Sequence, residues 1–160
     1  MPRFAVSCSE EMLRESADLA RATGAYWQTH LAEDRREIDE VLALFPGARD
    51  YTDVYDSVGG LGSRSIFAHA IHLSEREIAR LAETSSRVAH CPSSNLFLSS
   101  GAMHLARYLE AGISVGLGSD VAGGPELSMF SVMRAGAYTQ SGLRTVLGEE
   151  RPSLTPLEWL

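Results

Sequence analysis

The stretch "IFAHAIHLSEREIARLAETSSRVAHCP", residues 66–92, contains one strand–helix–strand unit. The short apolar runs at 66–68 and 88–91 are typical of buried strands, and Pro92 ends the second run. Between them, Ser74 and Glu77 form a capping-box pattern that predicts the start of an amphipathic helix. Two strands joined by a helix predict a βαβ unit and therefore a parallel sheet.

The same alternation of apolar runs and helical periods extends over the rest of the chain. The strands show little polar alternation, as expected where helices cover one face and a packed interior covers the other. Further strands are predicted at 26–30 and within 113–120, with the end of another at 3–6. Helices are predicted at 10–22, 38–45, 78–82 and 102–109 and from 129 onward, with a further helix start at 153–159. A short helical or turn segment is predicted at 50–62.

This pattern predicts an α/β fold, and two architectures fit it. One is part of a (β/α)8 barrel, which in complete form usually needs about 250 residues, whereas this chain has 160. The other is a smaller doubly wound sheet, which predicts a phosphate-binding glycine loop after the first strand. Neither G-x-G-x-x-G nor a P-loop is found there.

Composition narrows the classes of function. An apolar content of 44% with 22% charged residues is typical of a globular protein, and the net charge of −7 argues against a surface that binds nucleic acid. No apolar run approaches the ~18 residues that a membrane span needs. Two widely spaced cysteines, and a start unlike a signal peptide, favour a cytoplasmic location.

Acidic and imidazole side chains fall at the ends of the predicted strands. His30 ends one strand and Glu33 follows it, His69 ends the next, and Asp120 ends the last. In barrel enzymes the carboxyl ends of the strands converge on one cavity, where catalysis takes place. Histidine nitrogen and carboxylate oxygen are zinc ligands, and a nearby carboxylate such as Glu33 can carry protons to a leaving group.

Structural explanations compete with each of these assignments. A single histidine at a strand end is more often structural than a ligand, and Asp120 beside two glycines could cap a turn. For His72 and His90 we favour structural or packing roles, and for His104 a surface position. Nothing around Cys91 indicates an activated nucleophile. The residues that follow it, Ser93, Ser94 and Asn95, are expected to shape a turn.

Several segments together resemble one family. They are "PRFAVSCSEE" at 2–11, "QTHLAED" at 28–34, "YTDVYDSVGGLG" at 51–62, "FAHAIHLSE" at 67–75, "AHCPSSNLFLSSG" at 89–101 and "GLGSDVAGG" at 116–124. The combination resembles the guanine deaminases of the amidohydrolase superfamily over almost the whole chain. That resemblance implies a (β/α)8 barrel with one zinc ion that converts guanine and water to xanthine and ammonia.

The resemblance also implies roles for individual residues. His30 and Asp120 match zinc ligands, and Glu33 matches the carboxylate that moves protons between water, purine and leaving amine. His69 matches a histidine that contacts the water or the substrate. Arg3 and Phe4 match a pair that helps to hold the purine, together with His30 and Glu33 in the same pocket. A guanidinium suits the O6 and N7 acceptors of guanine.

The chain departs from the family in one respect. The family's first strand carries a His-x-His pair that supplies two zinc ligands, and this sequence contains no His-x-His. The resemblance therefore predicts one incomplete barrel domain over residues 1–160, corresponding to about strands four to eight and lacking the family's small β-sandwich. With two of four expected ligands, zinc occupancy and activity of the chain alone are expected to be low.

Two other functions fit the same residues. One is hydrolysis of another aminopurine or of a triazine by the same chemistry. The other is a non-catalytic half barrel that acts only by assembling. Because a half barrel leaves two open strand edges, we expect a homo-oligomer or pairing with a missing N-terminal half. The expected partners are guanine or a related purine, without a nucleic acid polymer or a membrane.

Overall fold

Four parallel strands form one sheet in the computed structural model, which describes residues 1–148 and 154–159. Neighbouring strands in the sheet are also consecutive in the chain, as in one arc of a barrel. The strands are β1 (Trp27–Leu31), β2 (Ser65–His69), β3 (Arg87–His90) and β4 (Val115–Leu117). The register places His30 beside Ala68 and Leu31 beside His69. The predicted α/β class with parallel strands is confirmed.

One helix precedes the first strand, and the others connect the strands or follow the last of them. They are α1 (Glu10–Thr23), α2 (Arg35–Leu44), α3 (Tyr51–Ser57), α4 (Glu75–Glu83), α5 (Pro92–Phe97), α6 (Leu105–Glu110) and α7 (Met129–Leu147). Side-chain caps explain where several begin, since Ser9 caps α1 and Asp34 caps α2. The capping box predicted at Ser74 and Glu77 is present at the start of α4.

Three local predictions need correction. No strand is formed at 3–6, because Ala5–Ser7 winds into a short 3-10 helix. Residues after Cys91 form α5 and not merely a turn, because Pro92 occupies its first turn, where a missing N–H costs nothing. Near the C-terminus only a turn is described within 154–159, and Ser153 of the predicted helix start lies outside the described residues.

One face of the sheet packs into the core and the other carries polar groups. In β1 the side chains of Trp27, Thr29 and Leu31 are buried, whereas the alternate residues are partly exposed. Trp27 packs its ring against Tyr55 and Phe67, with ring centroids 5.5 and 6.1 Å apart. This alternation leaves His30 on the opposite face, where the core does not cover it.

The N-terminal segment lies along the outer edge of β1. The backbone N–H of His30 donates to the carbonyl of Arg3 at 2.9 Å, and the Thr29 hydroxyl donates to the same carbonyl at 3.1 Å. Phe4 is fully extended, although the segment is not a strand. Among the described residues, no helix is long and apolar enough to cross a membrane.

Glu77 joins the first turns of two helices. Its carboxylate accepts hydrogen bonds from the backbone N–H and hydroxyl of Ser74, both at 2.8 Å. It also accepts from the N–H of Thr52 at 3.2 Å and from the Thr52 hydroxyl at 3.1 Å, in the first turn of α3. Glu77 and Thr52 are buried, so the two Thr52 donors would lack this partner without Glu77, whereas Ser74 is exposed.

We predict that Glu77→Ala lowers the free energy of unfolding by about 2–4 kcal/mol, because it removes a cap and leaves buried donors unsatisfied. Urea denaturation followed by circular dichroism measures this change. Glu75→Ala is the matched control in the same turn, since the side chain of Glu75 is 85% exposed. Its ion pair with Arg107 should contribute at most about 1 kcal/mol. Equal losses in the two variants would contradict the prediction.

Candidate metal centre and acid–base site

The backbone turns into the left-handed region where three of the strands end. Ala32 follows β1 with φ 48°, His69 closes β2 with φ 68°, and Asp120 lies beyond β4 with φ 51°. Residues other than glycine rarely adopt this conformation, and each such residue costs about 1–2 kcal/mol. Strained backbone of this kind is concentrated at functional sites.

The left-handed conformation redirects the His69 side chain. Leu31, its register partner on β1, points into the core. Regular alternation would send His69 to the same face, yet its ring stacks on His30 with centroids 4.9 Å apart and an interplanar angle of 27°. The turn at His69 therefore brings two imidazoles from neighbouring strands together.

Hydrogen bonds fix the tautomers of both imidazoles. The Nδ1 of His30 lies 2.7 Å from the carbonyl oxygen of Arg3, which can only accept, so Nδ1 carries the proton. The Nδ1 of His69 lies 2.8 Å from Oδ1 of Asn95. In each neutral ring this leaves the Nε2 lone pair free, which is the state that binds a metal or accepts a proton.

Glu33 faces these two histidines. One carboxylate oxygen, Oε1, accepts a hydrogen bond from the hydroxyl of Ser100 at 3.0 Å. The other, Oε2, lies 3.5 Å from Nε2 of His69. The Glu33 side chain is 20% exposed, whereas that of His69 is fully buried. The carboxylate is therefore held on one side and can still reach a ligand in the cleft.

His30, Glu33 and His69 form a group that can hold a metal ion. Each contributes one ligand atom, and these atoms lie within 4.8 Å of one another. The buried Nε2 of His69 has no hydrogen-bond partner among the described residues, so it is an unsatisfied acceptor aimed at this space. Two imidazole nitrogens and a carboxylate are a donor set that suits zinc.

Asp120 is not part of that three-residue group. Its Oδ2 accepts a hydrogen bond from the Ser94 hydroxyl at 2.6 Å, and its backbone carbonyl accepts from Gly124 at 2.6 Å. The negative charges of Asp120 and Glu33 both act on the Cys91 thiol. Burial, with these charges, raises the pKa of Cys91 to about 12, which keeps the thiol protonated and unreactive.

Arg3 and Phe4 lie beside His30, where the sequence placed a purine-holding pair. The Phe4 ring is 6.2 Å from the His30 ring, and the Arg3 guanidinium carbon is 5.2 Å from the Phe4 ring centroid. Arg3 is exposed and Phe4 is half-buried, so both present surface at the edge of β1. Their role in binding stays a prediction.

Several supporting residues were not predicted from the sequence. Asn95 was expected to shape a turn, but it holds the ring of His69. The hydroxyl of Tyr55 donates to the backbone carbonyl of His30 at 2.8 Å, and burial raises the pKa of this phenol, so it remains a donor. Nothing in the sequence indicates a role for Ser100. The one available signal was a run of polar residues, Ser93 to Asn95, inside a buried segment.

His90 ends β3, next to the strand that His69 closes. Its ring is buried, and neither ring nitrogen has a hydrogen-bond partner among the described residues. It borders a cavity of about 630 Å³ whose other walls are mostly apolar, from α6, α7 and the turn at Trp159. Burial, and to a smaller extent the imidazole of His69, lowers the pKa of His90 to about 4.

Comparison with known proteins gives one family over the full length. A sequence model of the amidohydrolase family matches residues 1–160. The chain is 43% identical over 159 residues to a probable guanine deaminase of Schizosaccharomyces pombe. That alignment covers 99% of this chain and 30% of the yeast protein.

Solved structures of similar fold include deaminases. The chain superimposes on a guanine deaminase from C. acetobutylicum with bound guanine at a TM-score of 0.95 and 34% identity, covering 99% of this chain and 38% of the other. An adenosine deaminase from Xanthomonas campestris with bound zinc gives a TM-score of 0.79 at 26% identity, covering 86% of this chain and 31% of the other. The chain thus spans about a third of the length of these proteins.

We predict that the chain binds zinc through His30, so that His30→Ala weakens binding at least about tenfold. Competition with a chromophoric chelator at neutral pH measures the affinity. His104→Gln is the control, because His104 lies before α6 and outside the three-residue group. Weak zinc binding is expected of the chain alone, and zinc binding that is insensitive to His30→Ala would contradict the assignment.

A second prediction concerns acid stability. The pKa of His90 is about 4 in the folded chain against 6.5 as its ordinary value. A lowered histidine pKa stabilises the fold above pH 6.5, and that contribution is lost as the pH falls towards 4. It amounts to about 3 kcal/mol.

Unfolding free energies measured by urea titration from pH 7 to pH 4 should therefore fall more steeply in the unmodified chain than in His90→Leu. Carboxylates contribute equally to the pH dependence of both proteins. The difference between the two curves therefore gives the contribution of His90. Parallel curves would show that His90 is hydrated or charged in the folded chain.

Proposed function

Because the chain belongs to the amidohydrolase family, we propose that its site serves a zinc-dependent guanine deaminase, which hydrolyses guanine to xanthine and ammonia. The observation that carries this proposal is the convergence of His30, Glu33 and His69, whose ligand atoms lie within 4.8 Å of one another while each imidazole is held through Nδ1. The identity to guanine deaminases supports the choice of substrate.

Glu33 is the proposed proton carrier. Hydrolysis adds the oxygen of water to C2 of guanine and releases the C2 amino group as ammonia, so protons must pass from water to the ring and to the leaving amine. Glu33 can accept the first proton on Oε2, because Ser100 already occupies Oε1. Its side chain is partly exposed, so the same oxygen can deliver that proton to the substrate.

His69 is the proposed contact to the attacking water or to the substrate. Its Nε2 is buried, lies 3.5 Å from the Glu33 carboxylate and lacks a hydrogen-bond partner among the described residues. As a neutral ring anchored through Nδ1, it can accept a hydrogen bond from a water placed beside Glu33. That bond would orient the water for attack.

Arg3 and Phe4 are the proposed purine contacts. The guanidinium of Arg3 can donate two hydrogen bonds to O6 and N7 of guanine, and the Phe4 ring offers an apolar edge. Their position beside His30 supports this role, because it places both at the rim of the cleft that holds Glu33.

Zinc would be held by His30, with Asp120 as a second proposed ligand. The Ser94 hydroxyl binds Oδ2 of Asp120, which leaves Oδ1 for a metal, and ligating carboxylates are commonly supported by such a hydrogen bond. When bound, zinc supplies Lewis-acid activation of water at neutral pH. The two remaining ligands expected from the resemblance, a His-x-His pair, are not in this sequence.

Two alternatives from the sequence remain proposals. Another aminopurine or a triazine would use the same acid–base groups with different ring contacts. A non-catalytic half barrel would use the edge of β4 and the edge of β1, which the N-terminal segment partly covers, to form a homo-oligomer or to pair with an N-terminal half. A cytoplasmic location likewise remains a prediction.

The experiment measures xanthine and ammonia formed from guanine in the presence of zinc. The chain is assayed alone and after co-expression with the segment that precedes the matched region in the Schizosaccharomyces pombe relative. We expect little turnover by the chain alone and clear turnover by the pair. Glu33→Gln should lower the turnover by about 100-fold or more, whereas Glu40→Gln, an exposed position on α2, should not.

The outcome separates the three proposals. Faster turnover of adenine or of an aminotriazine than of guanine would replace the substrate assignment. A stable complex that binds zinc but converts none of these substrates would favour the non-catalytic half barrel. Retention of turnover in Glu33→Gln would contradict the assignment of Glu33 as proton carrier.

A further inference from the structure

Ser100 makes the hydrogen bond on which the orientation of Glu33 depends. Its hydroxyl donates to Oε1 of Glu33 at 3.0 Å across 67 positions of sequence. Ser100 is buried although its neighbour Ser99 is exposed, so the loop directs only one of the two serines inward. A carboxylate fixed through one oxygen presents the other in a defined direction, here towards Nε2 of His69.

The backbone of Ser100 is held on both sides. Its N–H donates to the carbonyl of Asn95 at 2.9 Å. Its carbonyl accepts a hydrogen bond from Nε2 of His72 at 2.7 Å. The backbone N–H of His72 in turn donates to the carbonyl of Ala32, the residue before Glu33, at 3.2 Å. His72 thus connects the loop of Ser100 to the loop of Glu33.

Gly101 allows this close approach. A Cβ at this position would lie 3.1 Å from Cε1 of His72 and 3.1 Å from Cγ2 of Ile71. Its φ of 132° also lies in the region that favours glycine. The His72 ring therefore occupies the space that a side chain at 101 would need, and this places the ring against the carbonyl of Ser100.

The segment that contains Ser100 also supports His69. Asn95, five positions before Ser100, holds Nδ1 of His69 through Oδ1 at 2.8 Å. One segment after β3 thus contacts Glu33 from the β1 end and His69 from the β2 end. We propose that Ser100, clamped by His72, is a positioning residue that sets the direction of the Glu33 carboxylate relative to His69.

The positioning of Glu33 does not depend on the proposed function. Only its effect on catalysis rests on that function. If Glu33 carries protons, its free oxygen must stay aligned with the water and the substrate, and loss of alignment lowers the rate of the chemical step. Substrate affinity would change little, because Ser100 lies behind the carboxylate and not in the exposed rim with Arg3. The positioning itself can be measured without turnover.

The test uses the carboxyl ¹³C resonance of Glu33 in the ¹³C-labelled chain, identified by its disappearance in Glu33→Gln. We expect Ser100→Ala to shift this resonance and Ser100→Thr, which keeps the hydroxyl, to preserve it. Ser99→Ala is the matched control one position away and should leave it in place. An unchanged Glu33 resonance in Ser100→Ala would overturn the proposal.

His72 is tested in the same way. His72→Gln can still donate to the carbonyl of Ser100 and should preserve the Glu33 resonance, whereas His72→Ala should shift it as Ser100→Ala does. Thermal unfolding of every variant is measured alongside. If Ser100→Ala and Ser99→Ala moved the resonance equally, the effect would be general loosening of the loop, and the positioning role would be rejected.

Kinetics of the zinc-loaded, guanine-converting assembly give the catalytic consequence. Ser100→Ala should lower kcat about 10- to 100-fold with KM for guanine little changed, and Ser100→Thr should recover most of the loss. A shifted resonance without any turnover of guanine would uphold the positioning role and reject the proposed function. An unshifted resonance with normal turnover of guanine would reject the positioning role and uphold the proposed function.

Discussion

The left-handed backbone at His69 is the constraint on which the site depends. Alternation along β2 would bury this side chain beside Leu31, but a φ of 68° turns it onto the face of His30. The conformation costs free energy, so surrounding contacts must hold it. The bond from Nδ1 to Asn95 supplies one, and the N–H of the next residue, Ala70, bonds to the carbonyl of Leu31 at 2.9 Å.

His69 and Glu33 share their support. Asn95 and Ser100 come from one short segment after β3, yet they bind His69 at the end of β2 and Glu33 after β1. Tyr55 adds a bond to the backbone of His30 from α3. Each reactive group is therefore held by an element other than its own. This arrangement fixes relative position more firmly than a support within the same loop would.

The sequence predicted the fold well and the site in part. Apolar runs and the Ser74–Glu77 capping box have local causes, so the strands and α4 could be predicted without a structure. Of the four residues predicted together at the strand ends, His30, Glu33 and His69 form one group, whereas Asp120 is not part of it. Their roles stay predictions. Asn95 and Ser100 could not be predicted, because their partners lie 26 and 67 positions away and no local pattern encodes a contact at that distance.

The separation between Ser100 and Glu33 also bears on the order of folding. The stacked rings of His30 and His69 need only one βαβ unit, whereas the bond to Glu33 closes 67 positions of chain and requires β3 and α5 to be in place. Longer closures cost more entropy and form later. Residues 96–99, just before Ser100, are exposed, so this segment can open locally while the core stays packed. Glu33 would then lose its alignment with His69 while β1 and β2 are still paired, so in the proposed enzyme inactivation on warming should precede loss of secondary structure.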